Sequence, residues 1–298
     1  MRFPTHKENL WNLWNLCEAR SQISPQVSVR FPIHKENLWD LWDLCEAQKR
    51  DSCEPRDRGR QRISAMIEGV IFDYGGTIDS RGVHWSWVIW DGYQKAGVNV
   101  PLEQFREAYV MAERELAKVR HILPNDNFHD LLVKKMDIEF GYLVEQGLVD
   151  AAEAPEKARA VAQYCYEQAR ECIEEARPVL EALSAKYPMM LVSNFYGNVD
   201  SVLRDFDVRR YFKGVIESAV VGVRKPNPTL FRLGVDALEL PAENIMVIGD
   251  SLTKDILPAE SLGCKTLWVK ARGWTDKEDD TVRPDIIAAL PEVLTRIG

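Results

Sequence analysis

The chain has 298 residues, of which 46% are hydrophobic and 28% charged, and its formal net charge is -8. That length buries a full core as one large domain or two smaller ones, and the acidic balance argues against nucleic acid or an anionic membrane surface as the main partner. No run of about 18 apolar residues occurs, so no membrane span is expected, and the N-terminal MRFPTHKENLWNLW lacks the apolar h-region of a secretory signal, which makes the cytoplasm the expected compartment.

The first predicted element is a repeat. Residues 2–19, RFPTHKENLWNLWNLCEA, return 28 positions later as RFPIHKENLWDLWDLCEA, differing only at Thr5/Ile33, Asn12/Asp40 and Asn15/Asp43. A solenoid buries its apolar faces on neighbouring copies and normally needs three or more, so two copies do not make one. Each difference is reachable by one nucleotide change, as in recently duplicated DNA. A charged linker, RDSCEPRDRGRQR, follows at 50–62. Residues 1–65 are therefore expected to be an extension ahead of a start at Met66. The contrasting reading is a short amphipathic helix around Leu10, Trp11, Leu13, Trp14 and Leu16 that binds a partner or a membrane surface. The six cysteines (Cys17, Cys45, Cys53, Cys165, Cys172, Cys264) form no CxxC pair, so reduced thiols are expected.

From Met66 a strand is predicted over Glu68 to Asp73. Four helices follow, about Trp85 to Ala96, Leu102 to Val119, Phe128 to Gln146 and Ala154 to Glu175, each with apolar residues at three- and four-residue spacing. Gly97, the stretch HILPNDN at 121–127, and Ala154 to Pro155 mark the breaks. Apolar runs then alternate with helical segments: PMMLVS (188–193), GVIESAVV (214–221), ENIMVIGD (243–250) and KTLWV (265–269). This alternation predicts an α/β fold with a doubly wound parallel sheet. The helical block becomes an inserted cap (83–176) above the carboxyl edge of a core made from 66–82 and 177–298, and such folds bind ligands at that edge.

Polar residues collect immediately after the apolar runs. Asp73 follows VIF, Ser193 and Asn194 follow MMLV, Lys225 lies in VGVRKPNP, and Asp250 follows IMVIG with Asp255 five residues on. One such Asp is explained by a turn or an N-cap, whereas three carboxylates, a hydroxyl and a lysine on one rim call for a shared task. Clustered carboxylates repel unless a cation sits among them, and an all-oxygen set suits Mg²⁺. Asn227 and Pro228 are suited to cap and open the next helix, which sets Lys225 beside free backbone N–H groups and a positive helix end, a setting fit for an anion.

With these motifs in order, residues 66–298 resemble a hydrolase of the haloacid dehalogenase superfamily with a helical cap inserted after the first motif. The resemblance implies that Asp73 is a nucleophile forming an aspartyl-phosphate, that Ser193, Asn194, Thr77 and Lys225 bind the substrate's phosphoryl group and shape its loop, and that Asp73, the Gly75 carbonyl, Asp250 and Asp255 hold Mg²⁺. It further implies a small phosphorylated substrate. A carboxylate nucleophile divides hydrolysis into two easier steps, and the cation with Lys225 neutralises the phosphoryl oxygens.

One position departs from the pattern. Phosphatases of this superfamily usually carry an Asp two residues after the nucleophile, where it protonates the leaving oxygen and later activates water; here Gly75 stands there. Three readings stay open: a phosphatase slower on alkyl esters than on aryl or acyl phosphates, a phosphonatase-like enzyme using a cap lysine (Lys95, Lys118, Lys134 or Lys135), and a dehalogenase-like enzyme. Against the last, those enzymes act without metal, whereas GDSLTKD keeps the acidic pair that a metal requires. A catalytically weak phosphate-binding protein is the non-enzymatic contrast. His84, in the segment leading into the cap, is the expected substitute acid, because an unperturbed imidazole titrates near neutrality. Trp85, Trp87 and Trp90 are expected to pack the cap, His121 and His129 to lie on solvated surface, and Arg224 either to meet an anionic substrate or to face solvent.

Overall fold

The computed structural model describes residues 66–274 and 280–297. The repeat, its linker and the expected extension 1–65 lie outside the described residues. Within them, β1 (Gly69–Phe72) is four consecutive buried residues, the signature of a strand covered on both faces. It is flanked on one side by β2 (Met189–Ser193) and on the other by β4 (Ile245–Gly249), both parallel to it. With β3 (Gly214–Glu217), β5 (Lys265–Val269) and a two-residue β6 (Ile286–Ile287), the sheet has order β3-β2-β1-β4-β5-β6, every pairing parallel. The chain winds outward from β1 through β2 to β3, then returns to β4 on the opposite side. The crevice at the carboxyl ends of β1 and β4 is thus the topological switch point, where doubly wound folds place ligands.

Side-chain alternation divides the core. Val70, Phe72, Leu191, Met246 and Ile248 join the larger apolar cluster, while their neighbours Ile71, Met190, Val192, Ile245 and Val247 face the other way against Leu230, Phe231, Val235 and Leu238 of α7 (Thr229–Leu238, the seventh helix in chain order). Gly234 of that helix lets it settle on the sheet, since a Cβ there would stand 2.7 Å from Val192 Cγ2.

The inserted block is helical, as expected: α1 (Trp85–Lys95), α2 (Leu102–Lys118), α3 (Phe128–Glu145) and α4 (Ala154–Ser184). The helix α3 opens with a reciprocal capping box, Asn127 accepting from the Asp130 N–H while the Asp130 carboxylate accepts from the Asn127 N–H. The helix α4 runs nine residues beyond the expected end at Glu175 and carries Pro178 inside it, so one helix serves both cap and core with no break at residue 176. A proline removes one backbone hydrogen bond; burial of Val179, Leu180 and Leu183 against the core favours continuation all the same.

The run at 214–221 also differs from expectation. Only its first half is strand; Ser218–Val221 turns as a short helix, α6, following α5 (Val199–Asp205) in chain order. The change falls where side chains claim backbone groups: the Ser218 hydroxyl accepts from the Phe195 N–H at 3.1 Å, and the Glu217 carboxylate accepts from the Gly197 N–H at 2.5 Å. The strand β6, too short for a periodic signal, was not among the expected elements. Among the described residues no helix is long and apolar enough to cross a membrane.

Candidate active site

Three carboxylates meet at the switch point. Asp73 follows β1, and its N–H is held by the Ile248 carbonyl of β4 at 2.9 Å. Asp250 follows β4, and Asp255 lies in the tight turn Leu252–Ile256 that leads into α8 (Leu257–Ser261). One oxygen of each lies within 4.8 Å of the others. Two glycines permit this closeness. A Cβ on Gly249 would come 2.4 Å from the Asp255 Cβ; one on Gly76, whose φ is +95°, would come 2.3 Å from Asp250 Oδ2.

Lys225 answers part of that charge. Its side chain is 2% exposed, and its ammonium lies 2.5 Å from Asp255 Oδ1 and 2.7 Å from Asp73 Oδ1. Burial pulls its pKa down, but Asp255 and Asp73 outweigh burial and raise it, so the lysine stays charged. Asn194 fixes the lysine's backbone: its Nδ2 donates to the Lys225 carbonyl at 3.1 Å and its Oδ1 accepts from the Lys225 N–H at 2.9 Å. Both ends of that amide are occupied by Lys225, so Asn194 positions the lysine where substrate contact was expected. Thr77 donates to Asp250 Oδ1 at 3.1 Å, and Trp268 Nε1 donates to the Asp250 carbonyl at 2.6 Å. Ser193 is the buried last residue of β2. The helix opens one residue later than expected: Pro228 holds the cap position, the first helical residue is Thr229, and Asn227, one residue ahead of the cap, accepts from the Thr229 N–H at 3.0 Å.

One ammonium cannot balance three carboxylates. Burial, reinforced by neighbouring acids, raises the pKa of both Asp250 and Asp255. A divalent cation suits this site: the donors are all hard oxygens and the excess charge is negative. Asp73, Asp250 and Asp255 would hold it. Position 75 is roomy, because a Cβ there would meet only Trp85 Cδ1, at 4.0 Å.

The expectation for His84 does not survive its surroundings. It is the N-cap of α1, its Nδ1 accepting from the Ser86 N–H at 3.2 Å, and its ring packs on Trp274 with centroids 5.2 Å apart. Burial pushes its pKa down to about 3, so at neutral pH it is an uncharged imidazole and no acid. Trp87 and Trp90 pack the cap as expected: Trp87 Nε1 donates to the Gly273 carbonyl at 2.8 Å, and Trp90 packs at a tilt on Phe105 with centroids 5.1 Å apart. Trp85 also packs in the cap, edge-on to Phe128 with centroids 5.3 Å apart, and in addition hydrogen-bonds Asp79, Nε1 to Oδ2 at 3.0 Å. His121 pairs with Glu115 at 2.8 Å, and Arg224 is exposed.

Sequence reasoning passed over Asp79, which is 1% exposed. Its Oδ1 accepts from the Gly76 N–H at 2.7 Å, bracing the glycine turn, and burial raises its pKa to about 7. The clue was an acid placed soon after a Gly-Gly-Thr turn. Lys135 is 4% exposed and pairs with Glu113, joined there by the Tyr196 hydroxyl at 2.8 Å. Burial lowers the Lys135 pKa, but Glu113 and the neighbouring tyrosines raise it well above the ordinary range.

Among proteins of known name, the chain is 31% identical over 153 residues to a phosphoserine phosphatase of Thermus thermophilus, covering 50% of this chain and 61% of that protein. It is 35% identical over 71 residues to a glyceraldehyde 3-phosphate phosphatase of Pyrococcus abyssi, covering 24% and 29%. The matched stretches thus span less than two thirds of these relatives. An L-2-haloacid dehalogenase superimposes with a TM-score of 0.50 at 19% identity, covering 78% of this chain and 99% of that one. Another dehalogenase structure superimposes at 0.51 with 12% identity, covering 77% and 96%. Identities this low establish the fold alone. A family model described as haloacid dehalogenase-like hydrolase matches residues 67–263, spanning the three carboxylates and Lys225, and the chain belongs to that family of hydrolases.

Proposed function

We propose that this protein is a Mg²⁺-dependent phosphohydrolase acting on a small phosphorylated metabolite through an aspartyl-phosphate on Asp73. The observation that carries the reading is the buried Asp73–Lys225–Asp255 ion-pair system with Asp250 beside it, at the carboxyl ends of β1 and β4. A bound Mg²⁺ supplies charge neutralisation for the phosphoryl oxygens. Lys225 keeps its proton and faces the same oxygens. An Asp73 oxygen bonds to phosphorus as the ester P–O bond breaks, and the leaving oxygen departs with the electron pair. With Gly75 at the position where relatives carry an acid, that oxygen takes its proton from solvent, which favours leaving groups that are stable as anions. Water then adds to phosphorus, the bond to Asp73 breaks, and inorganic phosphate leaves with the carboxylate restored. Segments 66–82 and 177–298 form the catalytic core in this reading, and the cap at 83–176 shields the site and selects substrate. The phosphatases among the relatives support the reading.

The phosphonatase-like alternative is disfavoured by the cap lysines. Schiff-base chemistry needs a neutral amine, and Lys135, the buried one, is held as an ammonium by Glu113. A cytoplasmic setting belongs to the same proposal and is tested by fractionation. The deciding experiment is phosphate release from an aryl phosphate and from sugar, nucleotide and acyl phosphates by the full chain, with and without Mg²⁺, beside Asp73→Asn. Metal-dependent release abolished in the variant is expected; release that persists in Asp73→Asn would refute the mechanism.

A further inference from the structure

The stretch GGTIDSRGVHW, residues 75–85, carries the chain from the glycine turn into the cap and folds back on itself before it gets there. The Gly82 N–H donates to the Gly76 carbonyl at 2.7 Å, and the N–H groups of Thr77 and Ile78 both reach the Tyr74 carbonyl, at 3.2 and 2.9 Å. Two residues of this turn meet one carboxylate. The Gly76 backbone lies so near Asp250 that a Cβ would stand 2.3 Å from Oδ2, and the Thr77 hydroxyl donates to Oδ1 at 3.1 Å. The place of Asp250 therefore depends on the place of the turn.

Asp79 fixes the turn from inside. It is buried, its Oδ1 accepts from the Gly76 N–H at 2.7 Å, and its Oδ2 accepts from Trp85 Nε1 at 3.0 Å. Trp85 is the first residue of α1, and its Cδ1 borders the open space at Gly75. Its ring packs edge-on against Phe128, which packs in turn on Phe206 of the core with centroids 5.7 Å apart. The indole is thus held by packing and holds Asp79 through one hydrogen bond. A carboxylate suits this post because both oxygens accept, whereas an amide offers one acceptor and sets an N–H against whichever donor remains. Both Asp79 oxygens are engaged by protein donors, so the residue acts through the turn and is no free acid.

We propose that Asp79 is a positioning residue: anchored by Trp85, it fixes the Gly76–Thr77 turn against Asp250 and so sets the affinity of the three carboxylates for a divalent cation. Only the kinetic half of its test rests on the phosphohydrolase reading above. The full chain is compared as wild type, Asp79→Asn, Trp85→Phe and the double variant. Mg²⁺ affinity is read by calorimetric titration, which needs no turnover, and folding by urea denaturation. Loss of one hydrogen bond to a charged group is worth about 10- to 100-fold, so each single variant should weaken Mg²⁺ binding by at least about tenfold. In the double variant the amide N–H no longer meets the indole N–H, so its loss should fall short of the product of the two single losses. At a fixed Mg²⁺ concentration below saturation, kcat on phenyl phosphate and on acetyl phosphate should drop by one common factor and recover as Mg²⁺ is raised. Variants that unfold at lower urea yet bind Mg²⁺ as wild type does would overturn the proposal and leave Asp79 a structural residue. Unequal losses on the two substrates at unchanged Mg²⁺ affinity would overturn it too, by making Trp85 a substrate contact. If wild type cleaves neither phosphate, the phosphohydrolase reading falls while the Mg²⁺ titration still decides this inference, and a wild type that binds no Mg²⁺ would overturn it.

Discussion

Gly75→Asp supplies the carboxylate that the family resemblance implies two residues after Asp73, the proposed nucleophile. The backbone accepts it: Gly75 is not among the glycines with positive φ, and its new Cβ would meet Trp85 Cδ1 at 4.0 Å, ordinary van der Waals contact. Electrostatics resists it. A fourth carboxylate about 6 Å from Asp73 would cost about 3 kcal/mol if ionised at an effective dielectric of about 20. That repulsion raises the newcomer's pKa, which suits an acid, and Mg²⁺ relieves it. General acid-base help is worth about 10²–10⁴-fold, or about 3–5 kcal/mol of barrier, so the catalytic gain on an unactivated alkyl ester is of the same size as the stability cost. The assay is kcat/KM on an alkyl phosphate and an aryl phosphate, with urea denaturation in parallel. The alkyl substrate is expected to gain at least about 100-fold and the aryl substrate to change less than about threefold, because a stable phenolate needs no proton. The folded variant should need more Mg²⁺ to recover wild-type stability. A folded, Mg²⁺-responsive variant without alkyl gain would refute the view that proton supply at position 75 limits this enzyme.

Lys225→Met leaves the carboxylates without their ammonium, and breaking a buried pair typically costs about 3–5 kcal/mol. Urea unfolding should show a loss of that order without metal, partly recovered with Mg²⁺, together with loss of turnover. Asn194→Ala removes both side-chain hydrogen bonds to the Lys225 backbone; it should cost about 1–3 kcal/mol of stability and lower kcat more than it raises KM, read in steady-state kinetics. Glu139, fully buried in the cap, accepts from the Tyr93 hydroxyl at 2.9 Å while its other oxygen has no donor. Burial raises its pKa from 4.5 to about 7. A raised acid means the folded state binds the extra proton, so its contribution is full below pH 4.5 and drains away as pH rises through 7. At about 1.4 kcal/mol per pH unit, the drain is about 3 kcal/mol. Glu139→Gln should flatten that part of the stability-against-pH curve and be the more stable protein at pH 8, measured by urea titration across the range.

The legible parts of this molecule are those where sequence-local chemistry repeats or punctuates. The runs ending in Asp73, Ser193 and Asp250 are apolar on both faces, so they announced central parallel strands and put the polar residues on one rim. Spacing at three and four residues announced the four cap helices. What stayed hidden depends on partners distant in the chain. His84 is 190 residues from Trp274, and its loss of basicity follows from burial that no window around position 84 can express. Lys134 and Lys135 are adjacent and chemically identical, yet one reaches Asp126 at the surface while the other turns inward to Glu113, because successive helical residues point about 100° apart. Asn194 looked like a ligand group since it follows Ser193, but its amide matches the backbone of Lys225 thirty-one residues later.

The glycines matter as much as the acids. Asp250 and Asp255 can approach because Gly76 and Gly249 present no Cβ to them, and Asp79 keeps the first of these turns in place. The motif is therefore a packing solution as well as a donor set: strands bring the carboxylates to one edge, glycines let them crowd, and the Lys225 ammonium offsets part of the crowded charge. A substitution at Gly76 should for that reason damage the site as severely as one at Asp250. A side chain there would both strain a backbone held at φ +95° and displace the Asp250 carboxylate itself.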